Sequence, residues 1–464
     1  MAVLVQRLGL SSTGNRATWT FSAWIKRSRT TSGNEFIFSS NGERTGTSYY
    51  SSIYFANDTL RYYDYFSGAA QKYLYTNRVF RDLNAWYHIV VRVDTTQATA
   101  SDRIRFYVNG VQETSFDSSD YPTQNDNSSF VNYAGMDNFV GTQTNNLSGA
   151  FLGSMSHVYL CDGQSYAPTV FGSTDSTTGE WKINTSPSIT MGTNGFTILK
   201  DGNTVTDQSS NSNDFSIGSG TLTKTEDCPS NVFATLNPLS NGLTSGTTLS
   251  NGNTTFATPS GGHDFTISTL GMNSGSGKFY CEIKVSSSAA FNMIGISDHC
   301  YQGSNQELSE DNYSYGYYSD SGGGSTAGVV RGNGSNVLTG MPNYTTNDII
   351  GIAVDLENHK LYFHKNGTYI NSGDPTSGST GTGAVSINNL NTTPNTDARG
   401  QGAYFFGVGD WTTTGAGTYQ CNFGNGYFGT TAVSSAGTNA SNLGIFEYDV
   451  PSGYTALCTK GLNL

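Results

Sequence analysis

The same strand-and-turn pattern occurs twice in the chain, once in each half. Residues 102–110 read DRIRFYVNG and residues 355–367 read DLENHKLYFHKNG. In both stretches apolar residues alternate along a strand that ends at Asn-Gly, a pair that favours the type I′ turn of a β-hairpin because both turn positions need positive φ. A more apolar strand precedes each one and ends at Asp94 or Asp355. The repetition predicts a three-strand meander in each half, and hence two related β-domains.

The composition of the 464 residues agrees with an all-β fold. Aromatic residues make up 12 % of the chain, and Gly occurs 56 times. Aromatic and β-branched residues favour strands, whereas Gly, Asn and Ser favour turns. No segment of a dozen residues keeps apolar positions at helical spacing, while strand-like runs recur between turns at short intervals. We therefore predict β-sandwiches in tandem.

The charge distribution argues against two classes of partner. The chain has 35 Asp and Glu but 23 Lys and Arg, which gives a formal net charge of -12. Because binding to nucleic acid or to an anionic membrane surface depends on clustered basic residues, we expect neither partner. No apolar run approaches the ~20 residues of a membrane-spanning helix. The start, MAVLVQRLGLSS, lacks the apolar core of a signal peptide, so we expect synthesis in a cytoplasm without secretion.

The six cysteines do not form a metal or redox motif. None of them is in CxxC spacing, and a chain of this length does not need disulfides to fold. Two of them, Cys161 and Cys281, lie inside apolar strand-like runs. We therefore expect buried free thiols.

The motifs of the two halves resemble two known domain families. Over residues 18–169, the segments FSAWIKRS, AWYHIVVRVDTT, RIRFYVNGV and LSGAFLGSMSHVYLCDGQSYAP follow the order found in laminin-G-like domains of the concanavalin A-like group. Over residues 256–429, the segments GKFYCEIKV, YSYGYYS, DIIGIAVDLENHKLYFHKNG and CNFGNGYFG are similar to a SPRY domain. Both families imply a concanavalin A-like sandwich (jelly roll), which accounts for the shared meander.

The resemblance implies two concanavalin A-like β-sandwiches joined by an ordered connector. We predict a laminin-G-like sandwich over residues 1–200, a connector over 201–255, a SPRY-like sandwich over 256–430 and a closing segment over 431–464.

The order of these domains is similar to that in virion structural proteins of marine tailed bacteriophages. The segments TEDCPSNVFATLNPL and FEYDVPSGYTAL contribute to this resemblance. It implies a non-enzymatic virion protein, a fibre-type or surface-displayed adhesin that contacts host surface glycan or protein. The alternative is a capsid decoration or tail structural protein that binds mainly other virion proteins. In either case we expect homo-oligomers on a symmetric assembly. A cellular SPRY adaptor is a poorer match, because such adaptors lack the N-terminal half.

The sequence offers no clear catalytic site. Concanavalin A-like glucanases carry an E-x-D-x-E run on one strand, which this chain lacks. The closing segment has Glu447 and Asp449 without a third acid, and the acids of ELSEDN (residues 307–312) are typical of a solvated turn. A polysaccharide-degrading enzyme would need a carboxylate pair that the sequence does not reveal. We therefore predict a protein without enzymatic activity.

Two kinds of candidate binding residue remain. Laminin-G-like domains sometimes hold Ca²⁺ at the sandwich rim, which makes Asp58 and Asp64 candidate ligands, although ordinary turn aspartates explain them equally well. No other metal or cofactor is expected. Tyr supplies a large rigid contact area with one polar tip, so Tyr-rich segments suit carbohydrate or protein contact, but also cores and subunit contacts. The candidate ligand-binding residues are Tyr62, Tyr63, Tyr65, Tyr313, Tyr315, Tyr317 and Trp411.

Overall fold

A computed structural model divides the chain into two compact units, Met1–Lys224 and Thr225–Leu464. The structure describes residues 3–42, 49–66, 69–200, 202, 204–240, 243, 246–259, 262–289, 291–300, 308–309, 313–320, 328–332, 334–396, 400–412 and 416–463. In this part of the chain, no helix is both long and apolar enough to cross a membrane.

Strands account for nearly all regular structure in the N-terminal unit. They are β1 (Leu4–Arg7), β2 (Thr18–Arg27), β3 (Asn34–Asn41), β4 (Tyr49–Ala56), β5 (Thr59–Phe66), β6 (Ala69–Val79), β7 (Tyr87–Asp94), β8 (Ile104–Val108), β9 (Val111–Gln112), β10 (Phe116–Asp120), β11 (Asp137–Val140), β12 (Gly153–Asp162), β13 (Gly172–Thr174), β14 (Trp181–Ile183), β15 (Phe196–Ile198) and β16 (Ser216–Ser219). Short 3₁₀ turns lie at Ala100–Asp102 and Pro168–Val170.

Two antiparallel sheets enclose the core of this unit. An eight-stranded sheet has the order β10-β6-β5-β4-β3-β11-β1-β16, and a six-stranded sheet has the order β15-β12-β2-β7-β8-β9. Their inner faces share one hydrophobic cluster, in which Phe21 and Ile89 of the small sheet meet Phe38 and Leu74 of the large one. The β13-β14 hairpin lies on the outer face of the small sheet. The indole N–H of Trp181 in β14 donates to His88 Nδ1 in β7 at 3.0 Å.

The C-terminal unit is also built almost entirely from strands. They are β17 (Thr248–Ser250), β18 (Thr255–Ala257), β19 (Gly262–Ile267), β20 (Met272–Asn273), β21 (Lys278–Ser287), β22 (Phe291–Ser297), β23 (Ser314–Asp320), β24 (Val329–Gly332), β25 (Ser335–Leu338), β26 (Ile349–Asp355), β27 (Lys360–Lys365), β28 (Thr368–Tyr369), β29 (Val385–Ser386), β30 (Ala403–Thr412), β31 (Thr418–Asn422), β32 (Tyr427–Phe428), β33 (Thr431–Ala432) and β34 (Thr455–Ala456). The 3₁₀ turns are Ile370–Ser372, Pro375–Thr380 and Gly461–Asn463.

Two sheets form the sandwich of this unit as well. The path β17-β18-β31-β21-β26-β27-β28 forms one sheet, to which β29 and β34 add, and β19-β30-β22-β23-β24-β25 forms the other, to which β20 adds. Ile352 and Phe363 of the first sheet pack with Ile294 and Phe406 of the second in one core. The closing segment covers the outer side of the first sheet, where Phe446 packs on Tyr280 at a ring distance of 5.0 Å.

The repeated turn has the same geometry in both units. Asn109 and Gly110 have φ of 49° and 79°, and Asn366 and Gly367 have φ of 50° and 83°, as a type I′ turn requires. Each Asn exchanges two hydrogen bonds with the first strand of its meander. Its backbone N–H donates to a strand carbonyl, and its Oδ1 accepts from the N–H of the same residue, which is His88 or Ile349. The predicted meander and the all-β fold class are confirmed.

The two ends of the predicted connector belong to different units. β16 pairs with β1, and the Phe215 ring lies 4.6 Å from that of Phe196 in the N-terminal core. Farther along the chain, Ala234 and Leu236 are buried in the core of the C-terminal unit. The six cysteines are all described and none of them forms a disulfide. Four of them are buried, whereas Cys228 and Cys300 are half-buried.

Candidate functional site

A group of tyrosines lies on the outer face of the eight-stranded sheet. Alternate residues of a strand point to opposite sides, so Leu60, Tyr62 and Asp64 of β5 are buried, whereas Tyr63 and Tyr65 point outward and are half-buried. The neighbouring strands β4 and β6 add tyrosines in register with β5. This surface, the tyrosine face, consists of Tyr50, Arg61, Tyr63, Tyr65, Tyr73 and Tyr75, whereas Tyr54 on the same side of β4 is buried.

The rings of the tyrosine face contact one another across strands. Tyr50 stacks on Tyr65 with centroids 5.0 Å apart, and Tyr63 stacks on Tyr65 at 6.0 Å. On β6, the rings of Tyr73 and Tyr75 stack at 5.1 Å, and Tyr73 is the register partner of Tyr63. The rings thus form two stacked groups, one on β4 and β5 and one on β6, which strand pairing places side by side.

The hydroxyl groups of Tyr63 and Tyr75 remain protonated at neutral pH. Burial raises the pKa of Tyr63 and of Tyr75 above the ordinary value. The guanidinium carbon of Arg61 lies 4.6 Å from the centre of the Tyr75 ring, so the face also carries one cation. The face therefore offers apolar ring area together with hydroxyl groups that both donate and accept hydrogen bonds.

Three of the predicted ligand-binding tyrosines lie in the cores. Tyr62 is 1 % exposed, and its hydroxyl donates to Asp64 Oδ1 at 2.8 Å. Tyr315 and Tyr317 are buried in the other core, where the Tyr315 hydroxyl accepts from the N–H of Asn388 at 3.0 Å. Their burial removes these three rings from the set that can contact a ligand.

The other predicted residues have mixed positions. Tyr63 and Tyr65 belong to the tyrosine face, and Tyr313 is half-buried, with its hydroxyl donating to the carbonyl of Pro394 at 3.2 Å. The backbone of Trp411 belongs to β30, but its side chain is outside the described residues. Three further members of the face, Tyr50, Tyr73 and Tyr75, were not named individually as candidates, although the period-two spacing of YYSSIYFA and KYLYT gave the signal for them.

Two family models match the chain. A model described as the concanavalin A-like lectin/glucanases superfamily, of the laminin G type, matches residues 7–170. A model of the SPRY domain matches residues 278–378. The chain contains a concanavalin A-like domain and a SPRY domain. The two family resemblances expected from the motifs are thereby confirmed.

Solved structures with a partial likeness have low sequence identity to the chain. The SPRY domain of human HERC1 is 16 % identical, with a TM-score of 0.27, and the match covers 38 % of this chain and 91 % of that one. A heptameric SAP-like pentraxin from Limulus polyphemus is 16 % identical, with a TM-score of 0.26 and coverage of 36 % and 71 %. A human SPRY domain is 13 % identical, with a TM-score of 0.26 and coverage of 38 % and 93 %. No curated protein matches the chain.

The two calcium candidates of the concanavalin A-like domain have partners within the protein. Asp58 accepts from Arg27 Nη1 at 3.0 Å and from Arg81 Nε at 3.3 Å, and these guanidinium groups would repel a bound cation. Burial raises the pKa of Asp64 to about 6, although the hydroxyls of Ser51 and Tyr62 donate to it. Among the described residues, no group of three or more His, Cys, Asp or Glu side chains is arranged to hold a metal ion.

The acids of the C-terminal unit that were considered as catalytic candidates have structural contacts. Glu447 accepts from the N–H of Ser434 at 2.6 Å, and Asp449 accepts from the N–H of Thr438 at 2.7 Å. Both carboxylates therefore fix loop backbone in the closing segment. The acidic residues of ELSEDN lie outside the described part of the chain. Burial lowers the pKa of His364 to about 3, so this histidine is neutral at physiological pH.

Proposed function

We propose that the chain is a non-enzymatic bacteriophage virion protein, displayed on the particle surface, that binds host surface glycan through the tyrosine face. The tyrosine face is the observation that carries this proposal. Laminin-G-like and SPRY domains are typically binding domains without catalytic activity, which supports a binding role. The succession of domains and segments along the chain supports the virion origin.

The chemistry of the face suits a sugar more than an apolar protein surface. Tyrosine rings give apolar area for the C–H faces of a sugar ring, and their hydroxyls bond to its hydroxyl groups. Three strands at about 4.8 Å spacing present rings over roughly 10 Å, so several weak stacking contacts act together. Display of many copies on a symmetric particle would raise weak binding at each site to strong attachment.

Substitution of the exposed rings tests the proposal. We expect Tyr65→Ala and Tyr63→Ala each to weaken binding of purified protein to host cells or host polysaccharide by about tenfold, because each removes apolar ring area on which a sugar would stack. Tyr313→Ala in the SPRY domain is the matched control, and it should bind like the parent. Thermal melts of all variants separate loss of binding from loss of folding.

A second measurement separates the adhesin from the structural alternative. Purified protein is added to host cells and to virion shells that lack it. Saturable binding to cells, lost in Tyr65→Ala, supports the adhesin. Binding to shells without saturable binding to cells would overturn the proposal in favour of a capsid decoration or tail component. Electron microscopy of intact particles would then locate that component.

A further inference from the structure

A second candidate site lies in the loops of the concanavalin A-like domain. Three loop segments, before β2, after β7 and before β11, surround an open cavity of about 520 Å³. This loop pocket is polar, with amide groups and one cation among its walls. Its lining residues are Gly14, Asn15, Arg16, Ala17, Thr96, Asn125 and Asn127.

A cluster of four aromatic residues is linked to the loop pocket through Arg16. Tyr49 and Phe66 are register partners at the ends of β4 and β5, and both rings lie near Phe130, at 5.2 Å and 6.1 Å. Phe130 in turn contacts Tyr133 at 6.4 Å. Phe66 is 47 % exposed and Tyr133 is 37 % exposed, so both rings can be reached from solvent. We call these four residues the aromatic shelf.

Arg16 belongs to both features. Its guanidinium carbon lies 4.3 Å from the centre of the Tyr133 ring and 5.8 Å from that of Phe130. Nε donates to the carbonyl of Ser129 at 2.5 Å, and Nη2 donates to that of Ser128 at 2.9 Å. These two bonds and the ring contacts fix the guanidinium in place. Nη1 donates to no other described residue, so this nitrogen remains available to a ligand.

The acids near Arg16 already have donors within the protein. Asp64 is buried and accepts from the hydroxyls of Ser51 and Tyr62. Asp126 accepts from the N–H of Ser128 at 2.8 Å. On the other side of the pocket, the carboxylate of Asp94 accepts from the Thr96 side chain at 2.6 Å. Asp64 is thus satisfied in part by residues of β4 and β5, and Asp126 and Asp94 are satisfied in part by their own loops. Asp64 and Asp126 also attract Arg16, which is the cation among the lining residues of the pocket.

We propose that the loop pocket binds a hexuronic acid unit of a polysaccharide, whose carboxylate pairs with Arg16 while its ring packs on the aromatic shelf. Because Nε and Nη2 of Arg16 already donate to carbonyls, Nη1 supplies the charge-assisted hydrogen bond to a carboxylate oxygen. The shelf gives ring area for a pyranose, and the asparagine amides at the rim bond to its hydroxyls.

This site is separate from the tyrosine face and does not depend on it. Tyr49 and Phe66 point to the opposite side of their strands from Tyr50 and Tyr65, because neighbouring residues of a strand alternate. The two sites also differ in chemistry, since the loop pocket selects for a carboxylate and the tyrosine face does not. Either proposal can therefore fail without the other.

Calorimetric titration of the full chain with paired oligosaccharides tests the proposal. The probes are trimers of galacturonate, glucuronate and mannuronate, each with the neutral trimer of the parent sugar. We expect at least one acidic trimer to bind at least tenfold more tightly than its neutral partner, with affinity that falls as NaCl rises. Binding of none of the acidic trimers, or equal binding of each acidic and neutral pair, would overturn the proposal.

Variants then assign the binding to the loop pocket. Arg16→Gln and Phe66→Ser should each lower the affinity for the acidic trimer at least tenfold. Arg16 also donates to loop carbonyls, so Arg16→Gln could unfold the loops. Phe66→Ser changes an exposed ring and keeps the test valid in that case. The matched control is Arg81→Gln, a surface arginine elsewhere in the domain. Unchanged affinity in Phe66→Ser, or an equal loss in Arg81→Gln, would overturn the assignment.

Discussion

At the scale of single residues, Gly110 shows how a turn and a covering side chain together restrict one position. Its φ of +79° disfavours any residue with a β-carbon. A β-carbon at this place would also collide with the indole of Trp181, which lies over His88. Gly367 is in the same situation, where a β-carbon would approach the Tyr448 ring to 2.7 Å. Both turns are thus fixed by backbone geometry and by packing.

We predict that Gly110→Val lowers the free energy of unfolding of the concanavalin A-like domain by about 3 kcal/mol, from backbone strain and overpacking together. Urea unfolding measures the loss. Gly135→Val is the matched control, because Gly135 has a φ of +83° but no atom within 4 Å of the place that a β-carbon would take, so it should show the strain alone. A Gly110→Val variant that melts like the parent yet loses ligand binding would contradict this reading of the turn as structural.

At the scale of elements, one buried carboxylate attaches the closing segment to the SPRY sandwich. Glu282 of β21 accepts from the N–H groups of Glu447 and Tyr448, each at 2.8 Å, and from the Tyr280 hydroxyl at 2.9 Å. Tyr280 also bonds to His364 at 2.6 Å. Burial raises the pKa of Glu282 to about 7, although these donors lower it.

This attachment predicts a pH dependence. Between the unfolded pKa of about 4.5 and the folded pKa of about 7, the folded state binds the extra proton, so the contribution of Glu282 to stability falls as pH rises through this window. His364, with its pKa lowered to about 3, acts in the opposite direction below pH 6.5. We therefore compare the parent with Glu282→Gln, in which His364 is retained.

The free energy of unfolding of the parent, compared with that of Glu282→Gln, should increase as the pH falls from about 7 to about 4.5. Chemical unfolding of both proteins at four or five pH values in this range measures the difference. Asp410→Asn is the control. Burial also raises the pKa of Asp410 to about 7, but among the described residues Asp410 has no bond to the closing segment. Hydrogen exchange at residues 446–450 should rise in Glu282→Gln but not in Asp410→Asn. A pH-independent difference between parent and Glu282→Gln would contradict the prediction.

Long strands were predictable from the sequence. The side of each strand that faces the core, and the short strands, were not. Alternation located β8 and β27, because it records that one side of each strand is buried. It does not say which side, so in YYDY the buried Tyr62 and the outward Tyr63 and Tyr65 could not be told apart. On β23 all seven residues are buried, so Tyr315 and Tyr317 carry no such signal. The loop pocket was not predicted, since its residues come from three loops far apart in the chain.

At the scale of the whole molecule, the division into two units matters for where the chain can be cut. The polar and turn-rich stretch that begins at residue 201 predicted the end of the first domain at residue 200. In the structure, the N-terminal unit continues to Lys224. The stretch Ser216–Ser219 is exposed and polar, so hydrophobic pattern did not reveal it as a strand, although it pairs with β1 at the sheet edge.

We therefore predict that a fragment of residues 1–224 folds alone and binds the acidic trimer like the full chain, whereas a fragment of residues 1–200 is less stable by at least about 3 kcal/mol. The shorter fragment lacks Phe215, which is 6 % exposed against Phe196, and burial of a Phe contributes about 1.5–3 kcal/mol before strand pairing is added. Phe215→Ala in the longer fragment is the control for the side chain alone, and it should lose about 3–5 kcal/mol because it leaves a cavity. Equal stability of the two fragments in urea would show that β16 and Phe215 add nothing to this domain, and would favour a boundary at residue 200.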